Sequence, residues 1–356
     1  MTIATNRAAT QPHNQRRTLR PGEWPDSDRR AWEEACRPSR RLQRGGAASY
    51  LAPASRESFA QRYGLFLGFL KQGGRLDCHA PAASQVTPSS IEAYVVTLSA
   101  RVSSVTVYNC IYHLRRAVEL IAPSQNFSWL AELEKDLALV MQPRSKLDRL
   151  FFTEQLVRAG LILMAESSDF TGDFARARGI RNGLMIVLLA LYPSRRKNFA
   201  TLELGTTFRT IRGSWWIILP ALITKSRRPD ERRVAAWLNP WIKLYVDECR
   251  PILRGTNTVD TNALWISSKT GGPLTVRKVG MLISAVTLER LGVALSPHLF
   301  RCAAATSAAT HSSNMRHLGS AILNHRDPRV TEEHYNRATS ISAANTYATI
   351  IGGYYT

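Results

Sequence analysis

The sequence predicts a mainly α protein with a small β-sheet, built as a helical domain followed by a mixed α+β domain. Three observations lead there. At 356 residues the chain is longer than one typical core. Over residues 48–140 the apolar positions recur at helical spacing with no strand signal, whereas beyond residue 148 two segments rich in β-formers interrupt the helices. The expected boundaries are a basic, partly flexible arm over residues 1–47, the helical domain over 48–140, a linker over 141–147 and the mixed domain over 148–356.

Taken in order, the arm is rich in Arg, Pro and polar residues, with Trp24 and Trp32 as places where part of it docks. Phe59, Tyr63, Phe66 and Phe69 form one helical face from Ala54 onward, and Gly73-Gly74 stop that helix. Thr87-Pro88 is a cap followed by a first-turn proline, opening a second helix with Ile91, Tyr94, Val95 and Leu98 inward. A third starts at Ser104; Val107, Ile111, Leu114 and Val118 share its stripe, with His113, Arg115 and Arg116 beside it. Residues 129–139 make a fourth, and Pro143 with basic neighbours then breaks the periodicity. In the second half, Thr153 caps a helix through Met164, and residues 181–191 read as a buried helix. Residues 214–219 and 233–238 read as paired strands joined by a loop carrying Lys225, Arg227 and Arg228. Helices resume after Asn239-Pro240, with a turn at Gly271-Gly272-Pro273.

Charge narrows the partner. Lys and Arg number 47 against 27 Asp and Glu, a net +20 that concentrates polyanions and points to double-stranded DNA. A membrane is not expected: the longest apolar run, residues 184–192, is too short to span one, and the N-terminus lacks the apolar core of a secretory signal. The five cysteines, Cys36, Cys78, Cys110, Cys249 and Cys302, form no CxxC pair, which implies neither a disulfide framework nor a zinc finger and fits a reducing cytoplasmic setting. Phosphate contacts are expected from Arg115 and Arg116 on the third helix, Arg144 and Lys146 in the linker, and Arg196, Arg227 and Arg228 in the mixed domain.

Candidate chemistry lies in the second half. His298 and Arg301 are three apart at a helix start, so both side chains leave one face and can reach one anion. His325 follows a short helix, Tyr335 comes ten residues later, and Arg195 stands just after the buried helix. Each residue has a plainer reading: Arg195 as a solvated cation, Lys225 as a nonspecific backbone contact, His298 as a cap, His325 as a satisfied core group, Tyr335 as an amphipathic core residue. His298 with Cys302 also resembles half a metal site, but no second ligand pair has the spacing.

The order Arg195, hairpin Lys225, His298-x-x-Arg301, His325, Tyr335 resembles the tyrosine recombinases, or phage-type integrases, and the likeness covers the chain from Thr153 onward. The helical half is similar in architecture to their core-binding, SAM-like domain. The resemblance implies DNA cleavage and rejoining through a 3′-phosphotyrosyl link, with Tyr335 as nucleophile, Arg195 and Arg301 on the non-bridging oxygens, His298 and His325 as donors, and Lys225 as acid for the leaving 5′ oxygen. It also implies a hinged clamp around the duplex, a homotetramer exchanging strands through a Holliday junction, a bacterial or nucleoid-associated setting, and no metal, ATP or other cofactor. The chain departs from the family at three points. Asn198 stands where an acidic residue is common; the interval of ten from His325 to Tyr335 is one residue more than the common spacing; and Asn324 replaces the usual Gly, which requires a left-handed backbone there. Arg196 is an alternative first arginine, but counting back from Leu202 favours Arg195. Two rival readings are a monomeric type IB topoisomerase and a DNA-binding relative without activity.

Overall fold

The computed structural model describes residues 17–143, 147–256, 261–311 and 318–324. They fall into two compact units, Met1–Ser145 and Lys146–Thr356.

The first unit holds α1 (Asp26–Ala35), α2 (Pro53–Gln72), α3 (Pro88–Ser99), α4 (Ser104–Ile121) and α5 (Ser128–Leu139). The stripes read from the sequence are the ones buried: Tyr63 and Phe66 on α2, Ile91, Tyr94 and Leu98 on α3, and Val107, Ile111, Leu114 and Val118 on α4. Thr87 caps α3 by accepting from the Ser90 amide at 3.2 Å. The arm reading needs correction from Arg17 onward. Trp24 lies edge-on to Tyr63 with centroids 5.0 Å apart, and Trp32 is buried beside it. Asp28 of α1 accepts from the Tyr63 hydroxyl at 2.5 Å and from the Ala83 amide at 2.8 Å. The segment before α1 lies against α2 because Gly64 has no side chain: a Cβ there would sit 2.0 Å from the Leu19 carbonyl oxygen. Such a docked strip shows no helical periodicity of its own, which is why its sequence looks like a tail.

The second unit is organised around α7 (Asp173–Leu191), in which every residue from 180 to 190 except Asn182 is buried. Around it pack α6 (Thr153–Glu166), α9 (Asn239–Lys243), the π-helical turn Leu244–Cys249, α10 (Arg250–Arg254), α11 (Val276–Leu291) and α12 (Pro297–His311). The short α8 (Arg196–Ala200) follows α7, and α13 (Leu318–Ile322) follows α12. Helices α6 and α7 cross where Gly160 faces Gly183, each too close to the other's carbonyl oxygen for a Cβ.

The sheet has three antiparallel strands in the order β1 (Phe208–Ile211), β2 (Ser214–Leu219), β3 (Asp230–Arg233). The first was not foreseen. It is joined to β2 by Arg212 and Gly213, both at positive φ, as a two-residue hairpin requires. The third corrects the expected strand over 233–238: it lies earlier, and Ala236–Leu238 is a 3-10 turn. After Val234 the next amide, Ala235, donates to the Tyr192 hydroxyl at 2.7 Å and the ladder ends. A run of four charged residues becomes a strand because β2 supplies the ladder, overriding propensity.

The close approach at Gly64 carries a test. Gly64→Ala should cost about 1–3 kcal/mol in urea unfolding and open the bond after Arg17 to trypsin. Gly22, with open space around it, provides the neutral control as Gly22→Ala.

Candidate active site

Helix α7 ends at Leu191, and the chain turns through Pro193 and Ser194 before Arg195, the N-cap residue of α8. The next turn is anchored: Phe199 packs on Trp265 at 5.1 Å, and the Trp265 indole donates to the Phe199 carbonyl at 2.9 Å. Asn198 and Leu202 are buried on the same side, so Arg195 is left half-buried while Arg196 is exposed, its side chain running past Gly280 of α11.

Arg301 enters from α12 and is 8% exposed. Its guanidinium donates to the carbonyl of Pro193 and, at 2.7 Å, to that of Leu323 just after α13. One side chain thus joins the turn before Arg195 to the end of α13. Burial first, then the neighbouring charges of Arg195 and Arg232, push its pKa down to about 10, against the pull of Asp230. Arg195 is likewise pushed down by burial and held up by Asp230. Among the described residues, three guanidiniums therefore share one region with the carboxylate of Asp230, which Arg232 grips by a fork of 2.6 and 2.9 Å.

Arg232 and Asp230 were not foreseen as site residues. A signal existed: the register sets Arg232 opposite Ile217 and Asp230 opposite Leu219, both buried, so the two charges lie on the inward face of the sheet. Charges on an inward face are costly unless paired. Local sequence hides them, because a run of four charged residues has the composition of a loop.

The remaining candidates are placed as follows. His298 is exposed one turn before Arg301 on α12, its Nε2 4.0 Å from the Cys302 sulfur. Among the described residues no group of three His, Cys, Asp or Glu could hold a metal ion. Lys225 is exposed in the loop between β2 and β3, as are Arg227 and Arg228. That loop is tied by the buried Thr224 hydroxyl, which donates to the Arg228 carbonyl at 2.7 Å, and Arg227 takes φ +56. Asn324 takes φ +47, the left-handed backbone its position demanded. His325, Tyr335, Arg144 and Lys146 lie outside the described residues. In the first unit, Arg115 bonds Glu119 at 2.6 Å and Glu134 at 2.7 Å, joining α4 to α5, so its guanidinium is committed within the domain. Arg116 lies over the Tyr112 ring at 5.1 Å.

Arg195 and Arg301 in such an arrangement can hold an oxyanion, while Arg232 is engaged by Asp230 and Ile322: guanidiniums offer parallel donors with fixed charge, and low dielectric strengthens each bond. No protein-family profile and no curated sequence matches the chain. Solved structures do. The XerH site-specific recombinase bound to its difH substrate, in a pre-cleavage complex, superposes with a TM-score of 0.56 at 16% identity, over 83% of this chain and 80% of that one. Its post-cleavage complex gives 0.56 at 14% identity, over 83% and 79%. The Tn1549 transposon integrase in complex with transposon right-end DNA gives 0.54 at 14%, over 89% and 98%. The chain has the tyrosine recombinase fold. Within that fold the three arginines converge from separate elements, Arg195 from the start of α8, Arg232 from β3 and Arg301 from α12. Among the described residues no helix is long and apolar enough to cross a membrane.

The charge imbalance predicts how the site responds to losing its carboxylate. Asp230→Asn should lower stability by on the order of 3 kcal/mol, as removal of one partner from a desolvated pair does, and inorganic phosphate should restore part of it. Urea titrations with and without phosphate check this; a loss that phosphate leaves untouched means the cluster does not receive anions.

Proposed function

We propose that the protein is a site-specific DNA recombinase that cleaves and rejoins strands through a covalent bond to Tyr335. The observation that carries the reading is the convergence of Arg195 and Arg301, half-buried and buried, beside the loop that follows α7. A phosphodiester repels nucleophiles, and charge builds on its non-bridging oxygens in the transition state; two guanidiniums fixed there lower that barrier. The Tyr335 oxygen bonds to phosphorus as the bond to the 5′ oxygen breaks, and Lys225 gives that oxygen its proton. His298 and His325 add hydrogen bonds and help carry the phenol's proton. A phenol, with an ordinary pKa of about 10, needs such positive surroundings to ionise. The ester energy is kept in the phosphotyrosine, so rejoining runs by the reverse attack and no nucleotide is consumed.

Outside this pocket the proposal assigns phosphate contacts to Arg116, Arg144, Lys146, Arg196, Arg227 and Arg228, the domains closing on the duplex about the linker. Arg115 is reassigned to holding α4 on α5, on the strength of its two ion pairs. Four protomers on two duplexes, exchanging strands through a Holliday junction, complete the reading. It is motivated by the fold, since XerH and the Tn1549 integrase carry DNA in the structures cited above.

A nicked duplex that loses its short strand on cleavage traps the adduct. The native protein should give a covalent band on it, while Tyr335→Phe should give none and bind DNA within about threefold of the native affinity. Binding by the native protein without any covalent product would support an inactive relative, and supercoil relaxation without exchange between two sites would support a topoisomerase. The phosphate assignments have a separate readout. Arg227→Met should reduce the slope of log affinity against log salt by about 0.9, whereas Arg115→Met should leave that slope alone and lower thermal stability instead.

A further inference from the structure

We propose that Arg232 is a positioning residue, latching the Lys225 hairpin to the C-terminal end of α13 so that the leaving-group acid and the turn entering His325 are held as one body. The inference rests on the recombinase reading above. Its observations are contacts that reading does not use. The last carbonyls of a helix have no partner within it. At α13 two are taken by side chains from elsewhere: Arg232 Nη2 donates to the Ile322 carbonyl at 2.6 Å, and Arg301 Nη2 to the Leu323 carbonyl at 2.7 Å. A third tie runs the other way, from the Asn324 side-chain amide to the Pro229 carbonyl at 3.5 Å. Pro229 directly precedes β3 and stands four residues after Lys225; Asn324 directly precedes His325.

Arg232 is suited to this task. The ladder opposite Ile217 fixes its backbone, Asp230 fixes its fork through Nε and Nη2, and both side chains are 13% exposed. A lysine there reaches one of these partners at a time. The exposed Arg227 and Arg228 on the same loop are not part of the latch, so losing Arg232 leaves the phosphate grip on the hairpin in place. What it loses is the placement of the acid against the scissile bond, and a misplacement near 1 Å slows such a step about 100-fold.

The test uses the full-length protein on two nicked duplexes, one with the natural 5′ oxygen at the scissile bond and one with sulfur in its place, a leaving group that departs without protonation. With oxygen, Arg232→Ala should cleave about 100-fold more slowly in a single turnover while its DNA affinity stays within about threefold. With sulfur the defect should shrink to less than about tenfold, and Arg232→Lys should recover part of the oxygen rate. Equal slowing on both substrates, a loss of affinity that matches the loss of rate, or no slowing at all each overturns the proposal. If the native protein forms no adduct, the recombinase reading fails on its own, and hydrogen exchange judges the latch. Arg232→Ala should then speed exchange at Leu323, Asn324 and residues 221–229 with α7 unchanged, and unchanged exchange in those segments overturns it.

Discussion

The constraint on which the site depends is the mutual repulsion of Arg195, Arg232 and Arg301 in a region where burial weakens the solvent's help. Like charges in low dielectric do not stay together unless something else holds them. Here the holding is done largely by main-chain carbonyls: Pro193 and Leu323 take Arg301, and Ile322 takes Arg232. Asp230 is the one carboxylate among the described groups that act on the Arg301 charge. Partial dipoles satisfy donors without cancelling the net positive charge. Among the described residues the cluster therefore keeps a positive charge that a set of matched ion pairs would have cancelled.

That bonding scheme explains why the flanking elements are built as they are. A guanidinium can reach the carbonyls after α7 and after α13 together only if both chain ends are stationary. The turn after α7 is stationary because the C-terminal half of α7 is buried and the helix crosses α6 at a glycine contact. The end of α13 is stationary because the arginines themselves cap it. Core packing and site geometry are thus one problem, and Arg301 is a structural tie as well as the phosphate ligand proposed above. Loss of its side chain removes two buried hydrogen bonds at once, so a defect at this position reports on folding and chemistry together.

The legible part of this protein was the part written in periodicity. Tyr63, Tyr94 and Ile111 on their helical stripes, the Thr87 cap and the apolar run of α7 stand in the structure where their spacing placed them. The nearness of Arg195 to Arg301 follows the order of the motif, and the left-handed Asn324 follows from its standing where the resembling family has glycine. What was not legible depended on partners distant in the chain. Trp24 and Trp32 are core residues only because Gly64 lets the preceding segment lie on α2. Residues 230–233 form a strand only because β2 is there to pair with them, and nothing local in Asp-Glu-Arg-Arg says so. Arg115 has the composition of a phosphate contact, yet Glu134, nineteen residues on, claims it.

Arg115 and Arg232 show the same chemistry put to opposite ends. Each is a partly buried arginine held by carboxylates, and each joins two elements. On α4 two carboxylates meet one guanidinium, the local charge is negative by one, and nothing is left to draw a phosphate. On β3 one carboxylate meets a guanidinium that has two more beside it, so the sum stays positive and the cluster still seeks an anion. A residue type, or even a residue type with its burial, does not separate the two cases. Among the described residues the count of opposing charges within the same desolvated volume does, and it leaves the cluster around Arg301 with a net positive charge.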